Sequence, residues 1–386
     1  MPSGPAVLGL LPVLRAALSG DGPALLPYPQ GSAPPAALTP GEPLGDDEDD
    51  PHDPTVAVLA TSGSTGRPKG ALLPASALLA SVSATHDRIG GPGRWLLALP
   101  AGHVAGLAVL LRSLVAGTEP AVLDLADGFR PEAFADAVAT LPARGRRYTA
   151  LVPTQLRRLI DAGGAGLDAV ASFDVVLLGG AAAPRPLLEQ AADRGVQVVV
   201  TYGMSETCGG CVYDGRSLDG VEVTVDDDGR VRLGGPVVAR GYRGGDTAGA
   251  FGEDAGGGRR FRTDDAGRWR PDGTLEVLGR LDDLIVSGGI KISPTVVEAA
   301  LADVPGIVEA CVVGVPDAEW GHRVAAAVVT LPGAVPPTLD DVRRAVSARI
   351  GPAAAPRQLL VLDALPLRGP GKPDRSELVT LARRRA

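Results

Sequence analysis

Short apolar runs rich in β-branched residues recur along the first two hundred residues, each followed by a stretch with helical spacing. TVAVLA (55–60) precedes a glycine-rich loop and then ALLPASALLASVSATHDRI, which predicts a helix over 71–89 with Pro74 in its first turn. RWLLALP (94–100) precedes AGLAVLLRSLVAG, TEPAVLDL precedes a helix at about 131–140, and YTALVP precedes TQLRRLIDAGG. FDVVLLGG (173–180) precedes a helix from Pro184 to about Arg194, and VQVVVTYG (196–203) follows. Strands alternating with helices of this size predict parallel β-α-β layers, and so an α/β fold.

After Tyr213 the texture changes. Residues 221–280 carry short strands separated by turn signals, and the Asp-Gly pairs at 228–229 and 272–273 predict hairpins. From about Leu281 a second unit is expected: LIVSGGIKI, a helix PTVVEAALADV, strands EACVVGV and RVAAAVVTL, a helix around 339–350 and the strand QLLVLD. Two helices and several strands predict a small α+β domain. The expected division is a large N-terminal domain over 1–280, with layered α/β sheets and a β-rich end, and a small C-terminal domain over 281–386.

The N-terminal stretch MPSGPAVLGLLPVLRAALSGDG has no basic region ahead of its apolar residues, and Arg15 interrupts it. It reads as a short amphipathic helix rather than a signal peptide. No apolar run reaches the ~18 residues of a membrane span, so a cytoplasmic location is the expectation. The 386 residues carry 37 Lys+Arg against 45 Asp+Glu, a net charge of −8. That balance disfavours a general nucleic-acid binder, which presents a basic face to phosphates. Aromatic residues make up only 3% of the chain, so the core is expected to be aliphatic.

Three cysteines cannot build a disulfide framework. Cys208-x-x-Cys211 lacks the second pair of a zinc site and reads as two small residues lining a pocket, with redox activity the minor alternative. His52, His86, His103 and His322 are scattered, so no histidine metal site is expected. Lysine is rarer still. Only Lys69, Lys291 and Lys372 occur, each beside a glycine-rich stretch. Where arginine is the default cation, a lysine marks a place that wants a compact, flexible ammonium.

Thr61-Ser62-Gly63-Ser64-Thr65-Gly66-Arg67-Pro68-Lys69-Gly70 has the chemistry of an anion cradle. Its glycines let backbone N–H groups converge on phosphate oxygens, its hydroxyls add donors, and Lys69 adds charge. It is not a Walker A loop, because Pro68 precedes Lys69 and Gly70 follows it.

This segment resembles the phosphate loop of the adenylate-forming superfamily, which includes acyl-CoA synthetases, luciferases and the adenylation domains of peptide synthetases. Further segments resemble that family's motifs in its order: LLGGAAAP (177–184) the adenine loop, TYGMSET (201–207), FRTDDAGRW (261–269) the ribose motif, GRLDDLIVSGGIKISPTVVE (279–298) the hinge motif, and LRGPGKPDR (367–375) the motif of the catalytic lysine. The resemblance covers nearly everything after residue 55. It implies ATP and Mg²⁺ as ligands and coenzyme A as co-substrate.

By the same resemblance, Gly180, Ala181, Ala182, Tyr202 and Gly203 would surround the adenine, with Tyr202 stacked on it. Ser205 would offer a hydroxyl to the α-phosphate, Glu206 would hold Mg²⁺, and Asp265 would accept from the ribose hydroxyls. Arg280 would lie near ribose and phosphate, and Asp282 would fall at the hinge. Gly288, Gly289 and Lys291 would border the path of the thiol; for Lys291 a solvated loop position is the equal alternative. Lys372 would be the catalytic lysine, carried by a small mobile domain. The ribose motif departs from the family's threonine-glycine-aspartate, since Asp264 stands where glycine is usual.

PAGHVAGL (100–107), YTALVPTQLRRL and SETCGGCVYDG look like the 2-succinylbenzoate–CoA ligases of menaquinone biosynthesis, especially the short actinobacterial kind. The activity so implied is acid–CoA ligation through an acyl-adenylate. His103 would form a wall of the acyl pocket, and Gly102 stands where those relatives often carry a second histidine. The sequence names no residue for the spectator carboxylate of a dicarboxylic acid. Two alternatives stay open: a ligase for another aryl or short-chain acid, and a stand-alone adenylation enzyme that loads a carrier protein. A homodimer is also open; nucleic acid is not an expected partner, and no membrane span is expected.

Overall fold

The computed structural model describes residues 4–28, 34, 38–62, 68–331, 333–367 and 373–385. The chain forms two compact units, one comprising Met1–Ala183, Gln190–Thr263 and Trp269–Leu275, the other Pro184–Glu189, Asp264–Arg268 and Glu276–Ala386.

The first unit opens with helix α1 (Leu10–Leu18) and the antiparallel pair β1 (Thr55–Ser62) and β2 (Pro68–Pro74). Here the structure corrects the sequence reading. Residues 71–74 belong to a strand, and helix α2 (Ala75–Ile89) starts only after Pro74, which is its N-cap. The expected continuous helix gives way because Ala71, Leu72 and Leu73 are all buried and paired in the sheet, where tertiary contacts outweigh weak helix propensity.

Next along the chain come β3 (Arg94–Leu97), α3 (Val104–Val115), β4 (Ala121–Val122), α4 (Pro131–Ala139), β5 (Arg147–Leu151), α5 (Pro153–Ala162), α6 (Gly164–Ala171), β6 (Val175–Leu178), α7 (Arg185–Asp193, of which the residues to Glu189 fall in the second unit), β7 (Val198–Met204), β8 (Gly209–Tyr213) and β9 (Arg216–Ser217). The seven strands from β3 to β9 make one sheet in the order β4-β3-β5-β6-β7-β8-β9. Pairings from β4 to β7 are parallel, and those of β8 and β9 are antiparallel. Leu96, Leu97, Val176, Leu177 and Leu178 are all buried, which explains why these strands read as unbroken apolar runs rather than alternating ones.

The β-rich end then appears as expected: β10 (Glu222–Val225), β11 (Arg230–Gly234), β12 (Gly241–Arg243), β13 (Phe251–Glu253), β14 (Arg259–Trp269) and β15 (Leu275–Arg280). Both Asp-Gly pairs lie at hairpin turns, between β10 and β11 and between β14 and β15. β12 leaves this sheet and pairs with β2, bringing Tyr242 opposite Ala71.

The second unit contains β16 (Ile285–Ser287), β17 (Ile290–Ile292), α8 (Pro294–Leu301), β18 (Ile307–Asp317), β19 (Gly321–Thr330), α9 (Leu339–Ile350), β20 (Gln358–Leu362) and α10 (Arg375–Arg384). Its sheet is β17-β16-β19-β18, with β20 parallel to β19. Period-two alternation builds two cores from the same strands. Val312, Val324 and Ala326 join Val297, Leu301, Val342 and Val346 on one face. Cys311, Val313, Ala325 and Ala327 join Leu378 and Ala382 on the other. The second face needs α10, a third helix beyond the two expected. Asp374 caps it, accepting a hydrogen bond from the Glu377 N–H at 3.0 Å.

Candidate active site

In the first unit the ends of β6 and β7 and the start of β8 converge with α3 around a cavity of about 110 Å³. Val104, Ala105, Ala108 and Arg112 come from α3; Gly179, Gly180, Thr201, Gly203, Gly209 and Gly210 come from the strand ends. Backbone approach is close enough that glycine is demanded. A Cβ at Gly203 would lie 2.1 Å from the Gly209 carbonyl oxygen, and one at Gly179 would lie 2.4 Å from Thr201 Oγ1. Between Tyr202 and Gly203 the register of the β7–β8 pairing shifts. That irregularity turns the chain into the short helix Ser205–Thr207, which carries Ser205 and Glu206.

Thr207 fixes this turn. Its hydroxyl accepts from the Met204 N–H at 3.0 Å and donates to the Gly209 carbonyl at 2.8 Å. Cys208 then adopts φ 54°, and its carbonyl accepts from Ser81 Oγ at 3.1 Å. Cys208 and Cys211 are fully buried, and the cavity is lined by the two glycines between them. This corrects the reading of both cysteines as pocket-lining residues. Burial pushes both thiols up, Cys211 to about 12. That burial favours the neutral thiols over the thiolate that redox or metal chemistry uses.

Glu206 is 7% exposed. Its Oε1 accepts from the Tyr242 hydroxyl at 2.6 Å. Its Oε2 has no protein partner among the described residues. A single buried carboxylate with one oxygen open suits Mg²⁺, which is commonly held by one or two carboxylates plus substrate phosphates. No group of three or more metal-binding side chains occurs among the described residues. Lys69, on β2, places its ammonium 3.7 Å from the centroid of the Tyr242 ring. Thr61 pairs with Lys69 across the β1–β2 hairpin. Ser62 pairs with Pro68, and Gly63, Ser64, Thr65 and Gly66 lie outside the described residues. Tyr202 is half-buried on β7, and Gly180, Ala181 and Ala182 follow β6 as an exposed turn starting at φ 79°.

His103 is the N-cap of α3 and is exposed. The next two residues, Val104 and Ala105, line the cavity in its place. The residue that the sequence reading missed is Arg112. It is 3% exposed, on the same face of α3 as Ala105 and Ala108. Its Nη2 donates to Thr85 Oγ1 at 3.3 Å and to the Tyr213 hydroxyl at 3.4 Å, and the guanidinium lies 5.1 Å from the Trp95 ring. Its Nε has no hydrogen-bond partner, and among the described residues no carboxylate pairs with it. Burial lowers its pKa, but arginine retains its charge in proteins. A buried cation whose partners among the described residues are neutral hydroxyls and an aromatic ring is a standing attraction for an anion.

In the second unit Arg280 Nη2 lies 3.1 Å from Asp264 Oδ2 and its Nε 3.9 Å from Asp265 Oδ1. The unusual Asp264 therefore serves as an ion-pair partner of Arg280. Gly288 and Gly289 form the tip of the β16–β17 hairpin at φ 55° and 79°. A Cβ on Gly288 would come 2.9 Å from the Trp320 ring. Lys291 is exposed on β17 and Asp282 lies in the short helix Leu281–Asp283. Lys372 lies outside the described residues.

The family model for the AMP-binding enzyme matches residues 17–243, and that for the AMP-binding enzyme C-terminal domain matches 296–372. A probable 2-succinylbenzoate–CoA ligase of Mycobacterium tuberculosis is 46% identical over 382 residues, covering 98% of this chain and 96% of its own. Among solved structures, the o-succinylbenzoate CoA synthetase MenE of Bacillus subtilis with the acyl-adenylate intermediate OSB-AMP superposes with a TM-score of 0.72 at 28% identity, covering 84% of this chain and 69% of that one. ATP-bound MatB of Rhodopseudomonas palustris gives a TM-score of 0.72 at 27% identity, covering 85% of this chain and 68% of that one. The chain belongs to the AMP-binding enzyme family and groups with its 2-succinylbenzoate–CoA ligases.

Proposed function

We propose that this chain is an AMP-forming acid–CoA ligase that activates 2-succinylbenzoate, the acid named for its relatives. The observation that carries the choice of a dicarboxylic acid is Arg112, a buried guanidinium on the cavity wall with no carboxylate beside it among the described residues. One carboxylate of the acid meets Arg112 while the other is left to react. The cavity volume of about 110 Å³ is small. Ligand pockets commonly run to about 300–1,000 Å³, so a compact acid head suits this one better than a long acyl chain.

The chemistry follows from charge. The reacting carboxylate oxygen attacks the α-phosphorus of ATP, the bond from that phosphorus to the bridging oxygen breaks, and pyrophosphate leaves. Two anions meet in this step, so positioned cations and N–H dipoles carry much of the catalysis. Lys69 supplies charge beside the phosphate loop, and Glu206 supplies the open oxygen for the cation. Bound Mg²⁺ would neutralise phosphate charge there. Lys372 is retained as the catalytic cation that the family motif implies. In the second step the thiol sulfur of coenzyme A attacks the acyl carbon, the acyl–oxygen bond breaks, AMP leaves and the thiol proton passes to solvent.

The test is ATP–pyrophosphate exchange with 2-succinylbenzoate and with an analogue lacking the ring carboxylate. Exchange with the dicarboxylate at a kcat/KM about 10²-fold or more above the analogue is expected, the scale of a lost buried charge pair. Equal rates would remove Arg112 from acid selection and the dicarboxylate from the reading.

A further inference from the structure

The Glu206 carboxylate and the Lys69 ammonium touch the same side chain. Tyr242 presents its hydroxyl to Glu206 Oε1 at 2.6 Å and its ring face to Lys69 Nζ at 3.7 Å. We infer that Tyr242 is a positioning residue of this site, a strut that holds the carboxylate for a divalent cation and seats the lysine for phosphate. The inference rests on the ATP-dependent reading given above.

The arrangement is built from both ends. Tyr242 is 5% exposed on β12, which pairs with β2, the strand that bears Lys69. Its main-chain N–H donates to Thr247 Oγ1 at 2.9 Å, and the same hydroxyl donates to its carbonyl at 3.2 Å. Phe251 packs edge-on against its ring at 5.0 Å between centroids. The ring therefore has little freedom. Gly245 leaves room for the lysine stem, because a Cβ there would lie 3.1 Å from Lys69 Cβ and Cδ. The Glu206 carbonyl accepts from the Ala239 N–H at 2.9 Å, tying the Glu206 turn to the chain leading into β12.

A carboxylate offers two oxygens, and in water both rotate freely. The short phenol bond occupies one of them with a charge-assisted hydrogen bond, fixes the plane of the group and leaves Oε2 for the cation. The ring face attracts the ammonium and limits its positions. The tyrosine thus touches two charges of opposite sign and constrains the position of each.

The experiment titrates Mn²⁺, as a paramagnetic stand-in for Mg²⁺, into the full chain with the α,β-methylene analogue of ATP, and follows free Mn²⁺ by electron paramagnetic resonance. Binding of 2-succinylbenzoate is measured in parallel by calorimetry. Tyr242→Phe keeps the ring, and with it the Lys69 contact and the packing on Phe251. It is expected to weaken Mn²⁺ binding about 10- to 100-fold, the scale of one hydrogen bond to a buried charge, while acid binding stays near the wild-type level. Tyr242→Leu removes the ring as well and is expected to weaken the nucleotide analogue further. Wild-type Mn²⁺ affinity in Tyr242→Phe would overturn the inference, as would equal loss of cation and acid binding. Failure of the wild-type chain to bind Mn²⁺ with the nucleotide would overturn the ATP-dependent reading, and the role of Tyr242 with it.

Discussion

Arg112 lies on one stripe of α3 with Ala105 and Ala108, at spacings of three, four and seven residues. Its neighbours Thr85 and Tyr213 are buried hydroxyls that also bond to each other at 3.0 Å. They solvate the guanidinium without neutralising it. Such a cation costs folding free energy when the pocket is empty and repays it when an anion enters, the sign of a site arranged for function rather than stability. Arg112→Leu is therefore expected to raise KM for 2-succinylbenzoate about 30- to 10³-fold, from a lost pairing of about 2–4 kcal/mol. The same variant should unfold at equal or higher denaturant than wild type, because it removes a buried unpaired charge. A destabilised variant with unchanged KM would reverse both halves of the argument. This residue was legible in principle, since a single arginine interrupts the apolar run AGLAVLLRSLVAG. His103 shows the opposite case: its motif drew attention, but its ring is exposed while the two apolar residues after it line the cavity. Tyr242 gave no signal at all, because RGYRGG has the composition of a turn and its partners are 36 and 173 residues away.

At the scale of elements, the parallel strands were legible because both their faces are buried and their sequences are unbroken apolar runs. β2 was not. PKGALLP has no alternation, and its pairing partners β1 and β12 are what make it a strand. α10 was missed because RSELVTLARR is mostly polar, with Leu378 and Ala382 its only fully buried positions. The turn between β7 and β8 was visible as a motif, and the structure supplies its physical cause in close backbone approach. Gly203→Ala brings a methyl against the Gly209 carbonyl oxygen, so the two strands must separate. A loss of about 1–3 kcal/mol is expected, the usual cost of overpacking, with activity falling more than stability because Glu206 moves with the turn. Denaturant midpoints and pyrophosphate exchange measured side by side check this; a stable variant with normal exchange would contradict it.

At the scale of the whole molecule, composition settles less than pattern does. A net charge of −8 and an aliphatic core are compatible with many soluble enzymes. What narrows the reading is the order of short segments, from the phosphate loop through Glu206 and Asp265 to Lys372, spread over two compact units. In the proposed reading each unit holds part of the chemistry: the first the cavity, Arg112, Lys69 and Glu206, the second Asp265, Arg280 and the Gly288-Gly289 hairpin. The most direct measurement is product analysis of the full chain with ATP, Mg²⁺, coenzyme A and 2-succinylbenzoate. Formation of AMP, pyrophosphate and a 2-succinylbenzoyl-CoA thioester in equal amounts is expected. ADP and phosphate in place of AMP and pyrophosphate, or AMP release that does not depend on the acid, would contradict it.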